Sequence, residues 1–285
     1  NCYTNWMAKK LFNFTIETLA KMSEVSPDQL KKIKTKINLG NFEVKQWKRM
    51  ADNMRIPKDR ETGVFEQHDR YFDLPEVDLS KIQANQIPIY KNWAYEKLFR
   101  VNMVKQADVL LLPVWFSNEW SHAQKKANFE FYEPRTIHES SFSPPIHQIL
   151  AVELGKMKLA YELTRQVMRL DLDNFNRNTA QGLHITPKSG SWLCVVYGYA
   201  AMRTDNNILS FAPKIPQQWN FYSFRIVNRK TIIQVTVNQE YAEFKKINGL
   251  DITIEVYNKR YKLASKPLKI RSSDQTKSFK SAALR

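Results

Sequence analysis

The first 200 residues alternate between polar loops and segments whose apolar residues recur at helical spacing. Apolar positions three or four residues apart share one face of a helix, so this pattern predicts amphipathic helices. Ser26-Pro27 marks one helix start, because Ser is a good cap and Pro suits the first helical position. The predicted helices cover residues 4–22, 27–37, 42–54, 93–115, 123–131, 145–154, 156–170 and 191–202. Helices of this length joined by loops favour antiparallel helix pairs.

The pattern changes after Arg203. The segments 224–237 and 252–256 are rich in Ile and Val with polar residues between them, which is typical of strands. Asn248-Gly249 lies just before the second segment and is a strong hairpin signal. We therefore predict a mainly α protein with a helical domain over residues 1–204. A small antiparallel β domain of jelly-roll type follows over 205–264, and a basic, disordered tail over 265–285.

Composition narrows the class of protein. Hydrophobic residues make up 43% of the 285 residues and only 7 are Gly, which favours a helical core. The net charge of +16 is compatible with nucleic-acid binding, but the lysines are scattered over helix faces and follow no recognition pattern. Cys2 and Cys194 form no metal-binding spacing. We expect a reduced cytoplasmic protein with no metal, no cofactor, no nucleic-acid partner and no membrane span.

Three polar loops carry the candidate chemistry. The loop 61–73 mixes carboxylates, amides and aromatic residues, as a sugar site does, although a charged surface loop has the same composition. In the second loop, Ser140 and Ser141 precede a predicted helix and offer hydroxyl and backbone N–H groups to an anion. Helix capping is the alternative there. The third loop joins His184 to a small-residue turn at Ser189-Gly190, which also suits an anion; a structural histidine is the alternative.

Lys105 and Gln106 open the apolar segment 109–112. A lysine buried in such a segment is costly unless it is paired or functional. Binding of a ligand and structural pairing with Asp108 are both open on the sequence alone.

The order of these segments resembles glycoside hydrolase family 65, the group of maltose, kojibiose, nigerose and trehalose phosphorylases. The similarity runs from residue 1 to about 263. The motifs that carry it are Tyr3-Thr4-Asn5, Glu66-Gln67-His68-Asp69, Tyr71-Phe72-Asp73, Lys105-Gln106-Ala107-Asp108, Tyr132-Glu133-Pro134-Arg135-Thr136, Ser140-Ser141, Arg169-Leu170-Asp171-Leu172-Asp173, Gly182-Leu183-His184, Val196-Tyr197-Gly198, Met202-Arg203 and Leu209-Ser210-Phe211.

The resemblance implies the C-terminal half of an (α/α)6 barrel followed by a β domain, and a homodimer in the full-length enzyme. It implies phosphorolysis of an α-glucosyl disaccharide with inversion, with inorganic phosphate as co-substrate. By the family pattern, Glu66, Gln67, His68 and Asp69 line the sugar site with Lys105 and Gln106. Ser140, Ser141, His184, Ser189 and Gly190 hold phosphate.

Two departures from the family pattern affect the functional expectation. The family's general acid is a glutamate shortly before the Asn-x-Tyr-Thr-Asn motif, within which this sequence begins at Asn1, so we expect the chain alone to be inactive. Arg70 takes a position where a small residue is usual, and its length would crowd the sugar site. The alternatives are a family 65 hydrolase with Glu133 or Glu139 as base, and a non-catalytic remnant or complementing subunit.

Overall fold

The computed structural model describes residues 1–272, without the side chains of Ala84, Gln181 and Asn206. The chain divides into two compact units. The first comprises Asn1–Val77 and Phe99–Asn102, and the second comprises Asp78–Leu98 and the chain from Met103 onward. None of the described helices is long and apolar enough to span a membrane.

The first unit contains three helices: α1 (Cys2–Val25), α2 (Pro27–Lys36) and α3 (Asn41–Asp52). The Asn1 side chain caps α1 by accepting the N–H of Thr4 at 3.0 Å. Helix α1 packs against both α2 and α3. Ser26 is the cap residue of α2, but its side chain makes no capping hydrogen bond.

The helices of the second unit surround one that is almost wholly buried. They are α4 (Ile89–Asn92), α5 (Tyr95–Leu98), α6 (Asp108–Trp115), α7 (His122–Tyr132), α8 (Ser143–Glu153), α9 (Met157–Arg169), α10 (Ile185–Leu193) and a π-helix (Cys194–Tyr199). Every residue of α8 from Ser143 to Val152 is buried. Helices α6, α9, α10 and the π-helix pack against it, so α8 is the centre of this core.

The predicted helix over residues 93–115 is wrong as a continuous element. The backbone of Val104 is extended there: its N–H donates to the Arg135 carbonyl at 2.8 Å, and its carbonyl accepts the N–H of Ile137 at 3.0 Å. Because an extended residue cannot continue a helix, the segment contains two separate helices, α5 and α6.

The β region forms two sheets within residues 209–272. One has the order β2 (Phe221–Asn228), β3 (Thr231–Asn238), β4 (Tyr241–Asn248) and β7 (Leu268–Arg271), all antiparallel. The other has the order β1 (Leu209–Phe211), β5 (Ile252–Val256) and β6 (Lys259–Leu263). The predicted mainly α fold with a C-terminal β domain is confirmed. One pair departs from the antiparallel expectation, since β1 and β5 run parallel.

Three details of the predicted β domain need correction. The segment 224–237 is a hairpin of β2 and β3, whose turn residues Arg229 and Lys230 have φ of 48° and 68°. Asn248-Gly249 connects β4 in one sheet to β5 in the other, so it is not a hairpin turn. The expected tail from residue 265 includes β7, which pairs with β4; residues 273–285 lie outside the described chain.

Candidate functional site

The expected sugar loop lies in the first unit and is tied to the start of α1. The carbonyl of Gln67 accepts the N–H of Cys2 at 2.7 Å. A carboxylate oxygen of Glu66 accepts the N–H of Phe72 at 3.3 Å, which closes the loop on itself. The His68 ring meets the buried ring of Tyr71 edge-on at 5.4 Å between centroids. These contacts fix the loop backbone and leave its polar groups at least partly accessible.

Arg70 has a left-handed backbone conformation, with φ of 66° and ψ of 21°. A residue without a Cβ is favoured in this conformation, which explains why a small residue suits the position. The Arg70 side chain is 85% exposed and its Nε lies 3.1 Å from Asp73. Asp69 pairs with Arg55 instead, at 2.6 Å, and the pKa of Arg55 is raised chiefly by that hydrogen bond. Arg70 therefore belongs to an exposed ion pair on its own loop.

Lys105 and Gln106 lie in the second unit, before the first residue of α6. Both are exposed, so the expectation of a buried lysine is wrong. The Lys105 ammonium lies 5.2 Å from the centroid of the Tyr90 ring, within cation–π range. An exposed cation on an aromatic ring remains accessible to a ligand.

Ser140 and Ser141 form a turn immediately before α8. Ser140 Oγ accepts the N–H of Phe142 at 3.4 Å, and the Ser140 carbonyl accepts the N–H of Ser143 at 3.3 Å. Phe142 is the cap residue of α8, so neither serine caps that helix with its side chain. Within residues 1–272 the Ser141 hydroxyl makes no hydrogen bond. One free hydroxyl at this turn fits an anion site better than the capping alternative.

His184 is the cap residue of α10 and is held by Asp171 through two contacts. Asp171 accepts the backbone N–H of His184 at 2.9 Å and lies 2.6 Å from its Nδ1. The hydrogen bond from the His184 side chain is the largest cause that lowers the pKa of Asp171. Lys188 Nζ lies 3.6 Å from the same carboxylate, and Asn178 Nδ2 lies 3.2 Å from His184 Nε2. The ring is thus fixed through both of its nitrogens.

Ser189 and Gly190 do not form the predicted small-residue turn. Both lie inside α10, which begins at Ile185 rather than at residue 191. Gly190 is buried, and a Cβ there would lie 2.9 Å from Cγ of Pro145 in α8 and 3.3 Å from Cγ1 of Val167 in α9. Glycine is needed because three helices meet closely at this point. Ser189 is exposed on the other face of the helix.

A group of three residues that the sequence did not bring together lies beside the serine turn. Glu133 is hydrogen-bonded through Oε2 to Nδ1 of His147, and its Oε1 lies 3.6 Å from Nε2 of His138. The two rings meet edge-on at 4.6 Å between centroids. His138 Nδ1 lies 3.1 Å from Ser143 Oγ, and His138 has a left-handed φ of 52°. The group therefore fixes the backbone just before Ser140.

The electrostatics of this group follow from its burial. Burial alone would raise the pKa of Glu133, but the two imidazole rings beside the carboxylate outweigh that effect and lower the pKa to about 2. Desolvation lowers the pKa of the fully buried His147 ring. The ligand atoms of the three residues lie within 4.8 Å of one another, so they are of a kind and spacing that could hold a divalent ion. The Glu133 carboxylate accepts from His147 Nδ1, whereas the Nε2 atoms of both rings are buried and have no hydrogen-bond partner among the described residues.

Glu139, one residue before the serine pair, is also engaged. Its carboxylate accepts the N–H of Ile89 and, at 3.1 Å, the N–H of Tyr90, at the start of α4. Both glutamates that were considered as a general base are thus occupied with structural contacts.

A cavity of about 310 Å³ in the second unit contains none of the predicted site residues. Glu153, Arg203 and Lys214 line it. Glu153 is paired with the buried Lys125 and lies 3.6 Å from Arg203, and Lys214 Nζ donates to the Val152 carbonyl at 2.7 Å. The charged side chains that line this cavity are thus mostly engaged in ion pairs or hydrogen bonds within the protein.

The second unit therefore holds two polar assemblies, namely the serine turn with Glu133, His138 and His147, and the His184 group with Asp171 and Asn178. The sugar loop belongs to the first unit. Asp171, the partner of His184, belongs to the motif Arg169-Leu170-Asp171-Leu172-Asp173. Glu133 and His138 come shortly before Ser140 and Ser141 in the sequence. Their contacts with the His184 ring and with His147 join residues far apart in the sequence, so the motifs alone do not predict them.

Comparison with known proteins agrees with this architecture. Residues 1–193 match the model of the glycosyl hydrolase family 65 central catalytic domain, and residues 202–263 match that of the family's C-terminal domain. A putative kojibiose phosphorylase from human microbiome has a similar structure, with a TM-score of 0.88 and 36% identity over 95% of this chain and 37% of that one.

Curated relatives give the same result. Maltose phosphorylase of Bacillus subtilis is 39% identical over 258 residues, which are 90% of this chain and 34% of that protein. Alpha,alpha-trehalose phosphorylase of Thermoanaerobacter brockii is 34% identical over 94% of this chain and 35% of its own length. The chain belongs to glycosyl hydrolase family 65. It spans about a third of the length of the curated relatives it matches.

Proposed function

We propose that this chain supplies the sugar- and phosphate-binding part of an inverting disaccharide phosphorylase. The substrates are an α-glucosyl disaccharide and inorganic phosphate, and the products are β-glucose 1-phosphate and a free sugar. The names of the relatives support this class of reaction, since they are maltose, trehalose and kojibiose phosphorylases. The observation that carries the proposal is the His184 ring, held by Asp171 at the start of α10.

The chemistry needs one acid and no base. A general acid gives its proton to the glycosidic oxygen, and the bond from that oxygen to the anomeric carbon breaks. A phosphate oxygen bonds to the same carbon from the opposite face, which inverts the configuration. Phosphate is already anionic, so donor groups rather than a second carboxylate must hold it. The resemblance implies that the acid is a glutamate.

The proposed roles follow the accessible polar groups. His184 and the free hydroxyl of Ser141 contact phosphate, with Ser140 shaping the turn. Glu66, Gln67, His68 and Asp69 of the first unit contact sugar hydroxyls, and Lys105 and Gln106 of the second unit are each given a sugar-binding role of their own. We now give Gly190 the role of setting helix packing, because it is buried between α8, α9 and α10.

A hydrolase of the same family is less well supported. It would need a general base to activate water, and a useful base has a pKa near the working pH. The pKa of Glu133 is lowered to about 2, so its carboxylate is a weak base. Glu139 holds two backbone N–H groups of α4. Neither carboxylate is arranged to take a proton from water.

A chimera tests the proposal. Residues 1–272 would replace the matching third of the Bacillus subtilis maltose phosphorylase. We expect maltose cleavage only when phosphate is present, with β-glucose 1-phosphate identified by the NMR coupling of its anomeric proton. His184→Gln should lower phosphate-dependent kcat/KM, whereas the exposed His122→Gln should not. Glucose release without phosphate would instead indicate a hydrolase.

A further inference from the structure

We propose that Glu139 is a positioning residue that joins the serine turn to Lys105, by holding the Tyr90 ring where it contacts the Lys105 ammonium. This inference rests on the proposed function, in which Lys105 contacts sugar and the serine turn contacts phosphate. All of these residues belong to the second unit. The family resemblance did not place Glu139 or Tyr90 among the binding residues.

The Glu139 carboxylate supplies the cap that α4 lacks. The first N–H groups of a helix have no partner within the helix, and the cap residue of α4 is Pro88, whose side chain makes no capping bond. One carboxylate oxygen of Glu139 accepts the N–H of Ile89, and the other accepts the N–H of Tyr90 at 3.1 Å. Hydrogen bonds to an ionised acceptor are stronger than neutral ones, so these two contacts fix the backbone at the start of α4.

Tyr90 in turn restrains Lys105. The Tyr90 side chain is half-buried, and its ring centroid lies 5.2 Å from Nζ of Lys105. Within residues 1–272 the Lys105 side chain makes no hydrogen bond and no ion pair. A free lysine side chain samples many rotamers, so this cation–π contact is what limits the position of the exposed ammonium.

The segment that carries Glu139 also holds the backbone next to Lys105. The residue before Lys105 exchanges backbone hydrogen bonds with Arg135 and Ile137, and the serine turn follows directly after Glu139. The backbone of Lys105 and, through Tyr90, its ammonium are therefore tied to this one segment. In phosphorolysis a phosphate oxygen must reach the anomeric carbon, and small displacements of the reacting groups are costly. A fixed link between the sugar-binding lysine and the phosphate turn meets that need.

Glu139→Gln tests the link without changing the size of the side chain. An amide has one oxygen, so it can accept only one of the two N–H groups of α4, and its NH2 group then opposes the other. Asp78→Asn is the matched control. Asp78 caps the short 3₁₀ helix Leu79–Lys81 in the same unit by accepting the N–H of Ser80 at 3.0 Å.

The position of Lys105 is measured by 1H–13C NMR on the purified chain with 13C-dimethylated lysines, which keep their charge. Methyl groups above an aromatic ring resonate upfield, and the signal that is lost in Lys105→Arg is that of Lys105. Tyr90→Leu gives the value without the ring. We expect the Glu139→Gln signal to move most of the way to that value and the Asp78→Asn signal to stay with the wild type. An unchanged signal in Glu139→Gln would overturn the positioning role, whether or not the chain binds sugar.

A second lysine shows whether each variant is folded. Lys269 Nζ lies 4.6 Å from the centroid of the Tyr241 ring in the β domain, so its methyl signal should stay shifted throughout. If Glu139→Gln loses this shift as well, the milder Glu139→Asp takes its place, because it keeps the charge but draws the carboxylate away from α4.

Activity in the maltose phosphorylase chimera then tests what the link is for. Lys105→Ala and Glu139→Gln should each lower kcat/KM for maltose about tenfold or more. The double variant should be no worse than Lys105→Ala alone, because Glu139 acts through Lys105. Losses that multiply in the double variant would overturn the link. If Lys105→Ala leaves kcat/KM for maltose unchanged while the NMR shifts are as expected, the sugar-binding role of Lys105 fails and the link with it. Phosphate-dependent turnover that His184→Gln lowers would still uphold the proposed function in that case.

Discussion

Replacing Glu133 with Gln should destabilise the chain at neutral pH and much less in acid. Glu133 is 19% exposed, accepts a hydrogen bond from the His147 ring, and lies 3.6 Å from Nε2 of His138. Gln has nearly the shape of a protonated Glu, so the difference between variant and wild type isolates the ionised carboxylate. The effect is large because the carboxylate is held in its charged form away from water.

The magnitude follows from the pKa of Glu133. Lowering it from 4.5 to about 2 corresponds to about 3 kcal/mol of folding free energy. A depressed carboxyl pKa stabilises the folded state above the unfolded-state pKa, and this stability is lost as the pH falls toward the folded-state pKa. By pH 3 about 2 kcal/mol of it should be gone, leaving a difference of about 1 kcal/mol between the two proteins.

Urea unfolding followed by circular dichroism at pH 7 and pH 3 measures both differences. The exposed Glu61→Gln is the control and should change the unfolding free energy by less than about 0.5 kcal/mol at either pH. A cost for Glu133→Gln that is below about 1 kcal/mol at pH 7, or that is the same at both pH values, would refute this account of the cluster.

Two further variants test the corrections to the sequence-based site. Gly190→Ala should lower stability by about 1–2 kcal/mol, because overpacking against Pro145 at 2.9 Å outweighs the better helix propensity of Ala. Ser189→Ala on the exposed face of α10 should leave stability within about 0.5 kcal/mol, and equal midpoints in urea for the two variants would contradict the packing role. Arg70→Gly should raise thermal stability by about 0.5–1 kcal/mol by relieving the left-handed backbone, since the exposed pair with Asp73 contributes little. A lower melting temperature for Arg70→Gly would show that the ion pair matters more than the strain.

Local patterns predicted most helices because each segment carries its own signals. Helix α9 has a clear apolar stripe, and α7 opens with a full capping box of Ser121 and Gln124. The helix prediction was wrong where backbone hydrogen bonds to a distant segment determine the conformation. At Val104, hydrogen bonds to residues 135 and 137 keep the backbone extended and interrupt the predicted helix. The hairpin predicted at Asn248-Gly249 was wrong for a related reason. A turn signal does not determine which sheet the next strand joins, and β5 joins the other sheet.

The candidate site was predictable where a motif places its own residues together, as in the pair Ser140-Ser141. The partners of that turn were not, because His147 lies on α8 and its contact with Glu133 depends on how α8 packs. The role of Asp171 was hidden in the same way, since Asp171 and His184 are thirteen positions apart in the sequence. Gly190 was misassigned because small residues are typical both of turns and of close helix contacts.

Direct titration of the purified chain with inorganic phosphate tests the central claim most directly. The account predicts one site per chain, with affinity at least about tenfold weaker in His184→Gln and unchanged in the exposed His122→Gln. Isothermal calorimetry at constant ionic strength separates this site from general attraction to a chain of net charge +16. Equal weak binding by all three proteins, or none, would contradict the assignment of His184 and the serine turn to phosphate.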